Sequence, residues 1–343
     1  MSDLSPAAIA AADPGGMLAD VLGQPHQLVD ALWRVESARV PQIDAPGGLV
    51  VCGMGGSGVG GDLATAILGA RARRPVQSVR DYELPPWVGA DALVLCASYS
   101  GDTEETLACF EQAGERGATR VALTTGGALA AEARAAGVPV IGVPSGFQPR
   151  AAIAYMTVGA LECAAASGVA PSLREEIEAA GARLLERAAD WGPEGRDDSP
   201  PKQLARRLRG RIPVLFGAGA TMAVAVRWKT QLNENAEVAA FAEALPEADH
   251  NEICAWPAGD GRLAVLLEDP EANARVTRRF ELTADVVGGA ERVSADGGSA
   301  AERVLSLVLL GDLASVYLAV LLGRDPVPVV ALERFKRGLA ATS

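Results

Sequence analysis

Residues 50–62 (VVCGMGGSGVGGD) join a short apolar run to a dense cluster of glycines. The apolar run contains two β-branched valines and is typical of a buried strand. Six glycines follow within nine residues, and a helical pattern comes next, at 63–68. Glycines let backbone N–H groups approach a ligand closely, and a helix N-terminus adds partial positive charge. With the Ser57 hydroxyl beside Gly56, this chemistry favours an anion, above all phosphate.

Two other interpretations of this stretch remain open. The residues also fit the G-x-G-x-x-G pattern of dinucleotide-binding folds, which is a weak signal when it stands alone. That function requires an acidic residue about 20 positions later, at the end of the next strand, and Asp81 comes somewhat late. A purely structural glycine turn is the second alternative. Neither interpretation accounts for a second polar loop further along the chain.

That second loop, residues 98–106 (SYSGDTEET), is predicted to end a strand and open a helix. Hydroxyls and free N–H groups at a helix N-terminus can bind phosphate oxygens from several directions. The structural alternative is a capping box formed by Asp102 and Glu105, and both arrangements can hold together. We therefore expect phosphate to lie between the Ser57 loop and this one. The hydroxyls expected to bind it belong to Ser98, Ser100 and Thr103.

Alternating strand and helix patterns are predicted to position both loops. Such alternation is typical of a parallel sheet with helices on both faces, and ligands bind at the carboxyl ends of its strands. Both loops follow predicted strands. The predicted strands are 49–52, 76–79, 93–97, 121–124 and 138–143, and the helices are 62–72, 103–116 and 128–136.

A similar pattern starts again after the Pro- and Gly-rich run at 192–201. A strand at 212–216, a second glycine turn at 217–219 and a helix at 222–236 open it. Residues 243–249 are acidic and interrupted by proline, and we expect them to be an excursion outside the core. The sequence therefore predicts two tandem α/β domains. Their limits are 1–150, with additional N-terminal helices, and 200–343, with C-terminal helices, joined by a helical region at 151–199.

Composition limits the partners and the compartment. A net charge of -12 argues against nucleic acid, which needs a basic face. The five cysteines form no C-x-x-C pair, and Cys52 and Cys96 lie in apolar runs, so we expect small core residues in a reducing compartment. No signal peptide is evident, and we expect no apolar run of membrane-spanning length. These features predict a soluble, cytoplasmic protein without a membrane partner.

Longer motifs in the second half make the sequence resemble a known family. The S-x-S-G-x-T loop is similar to phosphosugar-binding loops of the sugar isomerase (SIS) family. Further motifs are spread over nearly the whole chain: 148–150 (QPR), 233–237 (NENAE), 240–242 (AFA), 245–252 (LPEADHNE), and 325–328 (DPVP) with Lys336. They resemble motifs of the bifunctional phosphoglucose/phosphomannose isomerases. The resemblance implies two tandem three-layer α/β/α domains with parallel sheets.

The resemblance also implies a role for each site residue. Aldose–ketose isomerisation moves a proton between C2 and C1 through an enediolate, so it needs a base, a cation and an acid/base for ring opening. Glu234 would be the base and Arg150 would stabilise the enediolate. His250 would exchange a proton with the ring oxygen or O1, and Lys336 would assist ring opening or hold substrate. Neither a metal nor a cofactor is implied. Asp102 departs from the Asn that these isomerases commonly carry.

Structural alternatives exist for each of these residues. Glu234 and Lys336 could be solvated helical charges, and Arg150 a surface cation at a helix start. A non-catalytic phosphosugar-binding regulator is the main rival function, and an isomerase of another phosphosugar, including an amino sugar, is a second one. The resemblance further implies a homodimer in which His250 reaches the partner's site. An intrachain loop that folds back is the alternative for His250.

Overall fold

Two parallel sheets organise the chain, in a computed structural model that describes residues 4–256 and 261–340. The first sheet has the strand order β2-β1-β3-β4-β5 and the second β7-β6-β8-β9, and every neighbouring pair is parallel. The predicted α/β class with parallel sheets is therefore confirmed. The strands are β1 (Gly48–Cys52), β2 (Val76–Val79), β3 (Ala92–Ala97), β4 (Thr119–Thr124), β5 (Val140–Gly142), β6 (Ile212–Gly217), β7 (Phe241–Ala244), β8 (Arg262–Glu268) and β9 (Glu291–Ser294).

Helices connect the strands and fill the space between the sheets. Because parallel neighbours need crossover connections, most strands are followed by a helix. The predicted domain limits at residues 1 and 343 lie outside the described residues, and the inner limits stay predictions. The helices are α1 (Pro6–Ala12), α2 (Met17–Leu22), α3 (Gln24–Ala38), α4 (Gly55–Leu68), α5 (Glu104–Glu115), α6 (Gly127–Ala135), α7 (Ile153–Ala166), α8 (Arg174–Trp191), α9 (Pro200–Leu208), α10 (Ala220–Asn235), α11 (Ala274–Val286), α12 (Ala300–Leu321) and α13 (Val330–Ala340).

Helix α4 corrects the prediction of a helix at 62–72, because it starts at Gly55 and takes in most of the glycine cluster. Glycine costs about 1 kcal/mol relative to alanine inside a helix, which is why the pattern placed these residues in a loop. The structure uses the missing side chains for close packing. A Cβ on Gly61 would lie 2.9 Å from the Cβ of Val51 in β1, and one on Gly60 would collide with Met156 in α7. Tertiary packing overrides local propensity here.

Strand β7 is a second correction. Residues 243–249 were expected to lie outside the core, but Phe241–Ala244 pair in parallel with β6, and Leu245 and Ala248 are buried. The strand lies at the sheet edge and its side chains are half-buried or exposed, so it lacks the apolar signature of a central strand. Only its hydrogen bonding to β6 identifies it.

Helix α12 forms the centre of the C-terminal core. It spans 22 residues, and its most apolar 18-residue window has a mean hydropathy of 2.2, so, contrary to expectation, one apolar helix does reach membrane-spanning length. The most apolar window of that helix is completely buried against the rest of the chain, as in a core helix of a globular protein. Gly311 in α12 lets α10 approach closely, because a Cβ there would overlap the Trp228 indole, which donates a hydrogen bond to the Leu307 carbonyl (2.8 Å). This packing fixes α10 against α12.

The cysteines behave largely as expected. Cys52 and Cys96 are buried register partners on β1 and β3, Cys109 and Cys163 are also buried, and Cys254 is exposed. The hydrogen bond with the Cys52 thiol, followed by burial, raises the pKa of Cys109, and burial raises that of Cys163 to about 12. These buried thiols are therefore protonated, unreactive core residues.

Candidate active site

Two loops leave the first sheet side by side. Because Cys52 of β1 pairs with Cys96 of β3, the residues that follow the two strands emerge at the same carboxyl edge. Helix α4 opens there with Gly55 at φ +52°, and the N–H groups of Ser57 and Gly58 donate to the Met54 carbonyl (3.1 and 3.3 Å), which leaves those of Gly55 and Gly56 for a ligand. Ser57 lies in that turn and is buried. The edge therefore presents backbone donors and a hydroxyl, as the sequence predicts.

Hydroxyls hold the shape of the second loop. Ser98 Oγ lies 2.8 Å from Thr103 Oγ1 and accepts a hydrogen bond from the Gly101 N–H (3.0 Å). Ser100 Oγ accepts one from the Asp102 N–H (3.2 Å). The loop ends at Thr103, the N-cap of α5, whose hydroxyl does not bond the helix backbone. These hydroxyls retain donors or lone pairs for a bound anion.

Asp102 does not form the capping box with Glu105 that was the structural alternative for this loop. Its Oδ1 accepts a hydrogen bond from the Ala128 N–H (2.9 Å), which belongs to the first turn of the neighbouring helix α6. The carboxylate therefore stabilises a different helix N-terminus from the one that its own loop opens. A contact 26 residues away in the chain leaves no local sequence signal.

Arg150 lies beside this edge and is almost completely buried, with 2% of its surface exposed, so it is not the surface cation of the structural alternative. A Cβ on Gly56 would lie 3.3 Å from the Arg150 Cα, which places the guanidinium-bearing residue next to the start of α4. Arg150 Nε donates to Asn235 Oδ1 (2.6 Å). Its Nη2 donates to the carbonyls of Pro326 (2.6 Å) and Val327 (2.9 Å).

The remaining guanidinium nitrogen faces Glu234. Arg150 Nη1 donates a long hydrogen bond to Gln148 Oε1 (3.4 Å) and lies 3.6 Å from Glu234 Oε2, an ion pair without a hydrogen bond. The Glu234 side chain, at the end of α10, is 31% exposed and can be reached by a ligand. Burial lowers the pKa of Arg150, the charge of Glu234 opposes this, and that of Arg227 adds to it. The group stays charged, since an arginine pKa is far above neutrality.

His250 and Lys336 are placed differently. His250 ends the 3₁₀ turn Glu247–His250, which is tied to α11 because Asp249 pairs with Arg279 (2.7 Å) and accepts from Thr283 (2.8 Å). Its own side chain is exposed. Lys336 lies on α13 and is also exposed. Within residues 4–256 and 261–340, neither side chain forms an ion pair or hydrogen bond, so the structure brings together Arg150 and Glu234 but not these two.

Sequence reasoning assigned no role to several groups that hold Arg150. The family-like motifs include Asn235, residue 148 and residues 325–328. The sequence therefore marks these positions but does not reveal that they hold Arg150. The carbonyls of Pro326 and Val327 act through the backbone, which side-chain chemistry cannot reveal. Among the described residues, no cluster of three or more His, Cys, Asp and Glu could hold a metal ion.

Two parallel α/β units with hydroxyl- and glycine-lined strand ends define the SIS phosphosugar isomerase fold. The family model described as the bacterial phospho-glucose isomerase C-terminal SIS domain matches residues 197–339. The tagatose-6-phosphate ketose/aldose isomerase of Escherichia coli shares the fold at TM-score 0.65 and 15% identity, covering 91% of this chain and 95% of that one. A glucose-6-phosphate isomerase like protein of Thermus thermophilus gives TM-score 0.63 and 20% identity, covering 98% and 99%.

Closer relatives define the particular family. A bifunctional phosphoglucose/phosphomannose isomerase of Aquifex aeolicus is 38% identical over 85% of this chain and 90% of its own length. One from Caldicellulosiruptor bescii is 36% identical, over 85% and 89%. A D-glucosamine-6-phosphate 4-epimerase of Sulfolobus acidocaldarius is more distant, at 28% over 82% and 86%. The chain belongs to the family of bifunctional phosphoglucose/phosphomannose isomerases.

Proposed function

We propose that this enzyme interconverts the aldose and ketose forms of sugar 6-phosphates: glucose 6-phosphate, mannose 6-phosphate or both with fructose 6-phosphate. The observation that carries the proposal is the 3.6 Å pair of Arg150 Nη1 and Glu234 Oε2 beside two donor-rich loops. A carboxylate next to a fixed cation is the minimum equipment for moving a proton through an enediolate. The family to which the chain belongs supports the same reaction.

We propose the following steps. Glu234 takes the proton from C2 of the open-chain aldose and returns it to C1 of the enediolate. Negative charge develops on the sugar oxygens in between, and Arg150 Nη1, whose contacts with Glu234 and Gln148 are long, would donate to them. Such a donor is most effective when it is already fixed before the charge appears. His250 and Lys336 would open the ring, as the resemblance implies.

Phosphate is proposed to occupy the carboxyl edge of the first sheet. The backbone of Gly56 and the hydroxyl of Ser57 would contact it from the start of α4. The hydroxyls of Ser98, Ser100 and Thr103 would contact it from the β3–α5 loop. Both helix N-termini direct partial positive charge to this place. The sugar would then extend toward Arg150, which lies next to Gly56.

A coupled assay of the purified protein with glucose, mannose and fructose 6-phosphates tests the function. We expect turnover of at least one aldose–ketose pair, accompanied by exchange of the C2 proton with solvent deuterium. Binding without any turnover would favour the regulatory alternative instead. Since one relative is named D-glucosamine-6-phosphate 4-epimerase, glucosamine 6-phosphate belongs in the same assay. Turnover of that sugar alone would replace the proposed substrates.

We also propose a cytoplasmic homodimer in which His250 serves the partner's site. Two observations support the dimer: His250 is exposed, and α13 presents an exposed apolar stripe with Leu332, Phe335 (66% exposed) and Leu339. Free cysteines agree with a reducing compartment. Recovery of the native protein in a membrane or extracellular fraction would contradict the location.

Subunit exchange tests the role of His250. Inactive His250→Ala and Glu234→Gln variants are mixed and allowed to exchange subunits. If His250 acts in trans, a mixed dimer carries both lesions in one site and none in the other, so about half of a wild-type dimer's activity returns per mixed dimer. If His250 acts in cis, every site keeps one lesion and the mixture stays inactive. A monomer at working concentration would also exclude the trans arrangement.

A further inference from the structure

The amide of Asn235, the residue next to Glu234, has only one possible orientation. Ser315 Oγ donates its hydrogen to the Asp312 carbonyl (2.7 Å), so it can only accept from Asn235 Nδ2 (2.9 Å). Asn235 Nδ2 also donates to Gln231 Oε1 (3.2 Å). Asn235 Oδ1 is therefore the atom that must face Arg150 Nε, at 2.6 Å. Ser315 on α12 thereby fixes Asn235 Oδ1 as the acceptor for the Arg150 guanidinium.

A second branch reaches Arg150 from the same residue of α12. The carboxylate of Asp312 binds Arg227 through Nε (3.0 Å) and Nη2 (2.8 Å), and both residues are completely buried. Arg227 Nη2 also donates to the Arg150 carbonyl (2.6 Å). Gln24 of α3 donates to Asp312 Oδ2 (2.6 Å). The backbone and the side chain of Asp312 thus lead to two different atoms of Arg150.

Together these contacts leave one direction for the catalytic cation. Nε of Arg150 is taken by Asn235, and Nη2 by the carbonyls of Pro326 and Val327. The carbonyl of the same residue is held by Arg227, so neither the backbone nor the side chain can turn. Nη1 has the longest contacts of the three nitrogens: it donates to Gln148 Oε1 at 3.4 Å and faces Glu234. Buried ion pairs add little net stability. The Arg227–Asp312 pair is therefore better explained by its hydrogen bond to the Arg150 carbonyl than by a role in joining two helices.

We infer that Asn235 and Ser315, together with the Arg227–Asp312 pair, are positioning residues that aim Arg150 Nη1 at the substrate oxygens beside Glu234. The inference rests on the proposed isomerase function. An enediolate carries its charge only near the transition state, so a misdirected guanidinium lowers kcat more than it raises KM. The effect of each positioning residue passes through Arg150 and disappears when Arg150 is absent.

Ser315→Ala and Ser306→Ala form a matched pair of variants. Both serines are buried on α12, and each Oγ donates to the carbonyl three residues earlier, that of Asp312 or Arg303. The two lie nine residues apart, about 13 Å along the helix. We expect Ser315→Ala to lower kcat roughly 3- to 30-fold with KM changed less than about twofold. Ser306→Ala should leave both parameters unchanged at a comparable melting temperature.

Asn235 provides the conservative test. Asn235→Leu removes the acceptor for Arg150 Nε and should lower kcat by roughly 10²-fold. Asn235→Asp restores an acceptor but adds a negative charge beside Glu234. It should recover part of kcat and move the acidic limb of the kcat–pH profile to higher pH. A merely structural asparagine would give two variants with the same loss of kcat.

A double-mutant cycle with Arg150→Ala closes the test. Ser315→Ala should have no further effect on kcat in the Arg150→Ala background, whereas independent roles give multiplicative losses and overturn the inference.

In parallel, binding of a hydroxamate that mimics the enediolate of a sugar phosphate is measured by calorimetry. Ser315→Ala should weaken the hydroxamate about tenfold and inorganic phosphate not at all. Equal effects of Ser315→Ala on both ligands would overturn the positioning role, whether or not the wild type turns over a sugar. Absence of turnover by the wild type would refute only the proposed isomerase function.

Discussion

The carboxyl edges of the two sheets share a topology but not a chemistry. In the first sheet, the helix after β1 opens with glycines and Ser57, and the loop after β3 carries three hydroxyls. In the second, the hydroxyl at the start of α10, on Thr221, is used internally, because it donates to the Leu267 carbonyl (2.7 Å). Strand β8 ends at Glu268 and Asp269 follows it, and these two carboxylates pair with Arg292 (2.6 Å) and Arg303 (2.9 Å).

This difference shows that the carboxyl edge of a parallel sheet provides a location for a binding site, while the side chains at that edge decide which ligand can bind. Free N–H groups occur at both edges, but carboxylates at the second would repel phosphate. The C-terminal half contributes instead the groups proposed to move protons, Glu234 and His250. The N-terminal half is therefore expected to govern phosphate binding, and the C-terminal half to supply the groups that move protons. The predictions below test this division.

The largest expected effect is on chemistry in the C-terminal half. Glu234→Gln keeps the shape of the side chain but cannot accept the C1/C2 proton, so kcat should fall by roughly 10²–10⁴. Affinity for fructose 6-phosphate, measured by calorimetry, should stay close to that of the wild type. Exchange of the C2 proton with deuterated solvent should be lost as well, and exchange at a near wild-type rate would exclude Glu234 as the base.

A smaller effect is expected on binding in the N-terminal half. Ser100→Ala combined with Thr103→Ala removes two donors to the phosphate and should weaken sugar phosphate binding by about 1–3 kcal/mol. Asn273→Ala in the corresponding loop of the second sheet removes the α11 cap and serves as the control. It should lower the melting temperature without changing affinity. Unchanged affinity in the double variant would move the phosphate away from the β3–α5 loop.

The glycines of α4 provide a test of packing. Gly60 and Ala225 are each the sixth residue of the helix that follows the first strand of its sheet. Gly60→Ala should destabilise the protein by about 1–2 kcal/mol, because overlap with Met156 outweighs the helix propensity of alanine. Ala225→Gly should cost about 1–2 kcal/mol, through helix propensity and the loss of a buried methyl group. Chemical denaturation measures both, and a Gly60→Ala protein more stable than the wild type would contradict the packing argument.

The smallest expected effect concerns Asp102. Asp102→Asn keeps the Oδ1 acceptor for the Ala128 N–H, so affinity for sugar phosphates should change less than about twofold. Asp102→Ala removes the α6 cap and should lower stability by about 0.5–2 kcal/mol. Calorimetry and thermal unfolding measure the two effects. Tightening of tenfold or more in Asp102→Asn would show that the carboxylate faces the phosphate.

Much of the fold could be predicted because its signals are local. The strand at Val76–Val79 was predicted with its observed bounds, and helices were expected at the N-terminus, where α1, α2 and α3 lie. Apolar runs identify the central strands since they are buried on both faces. Edge strand β7 lacks such a run and was missed. The two loops were also found, because hydroxyls and glycines at strand ends are visible in sequence.

The sequence alone thus determined the parallel α/β architecture, the residue types at both strand ends and the motifs that contain Arg150 and Glu234. Only the tertiary structure decided how these groups are used. It placed Gly55 inside a helix, turned Asp102 toward α6, and fixed the Arg150 guanidinium. The physical reason is that packing and buried hydrogen bonds join residues far apart in the chain, such as Asn235 and Ser315. Propensity and spacing report only on neighbours.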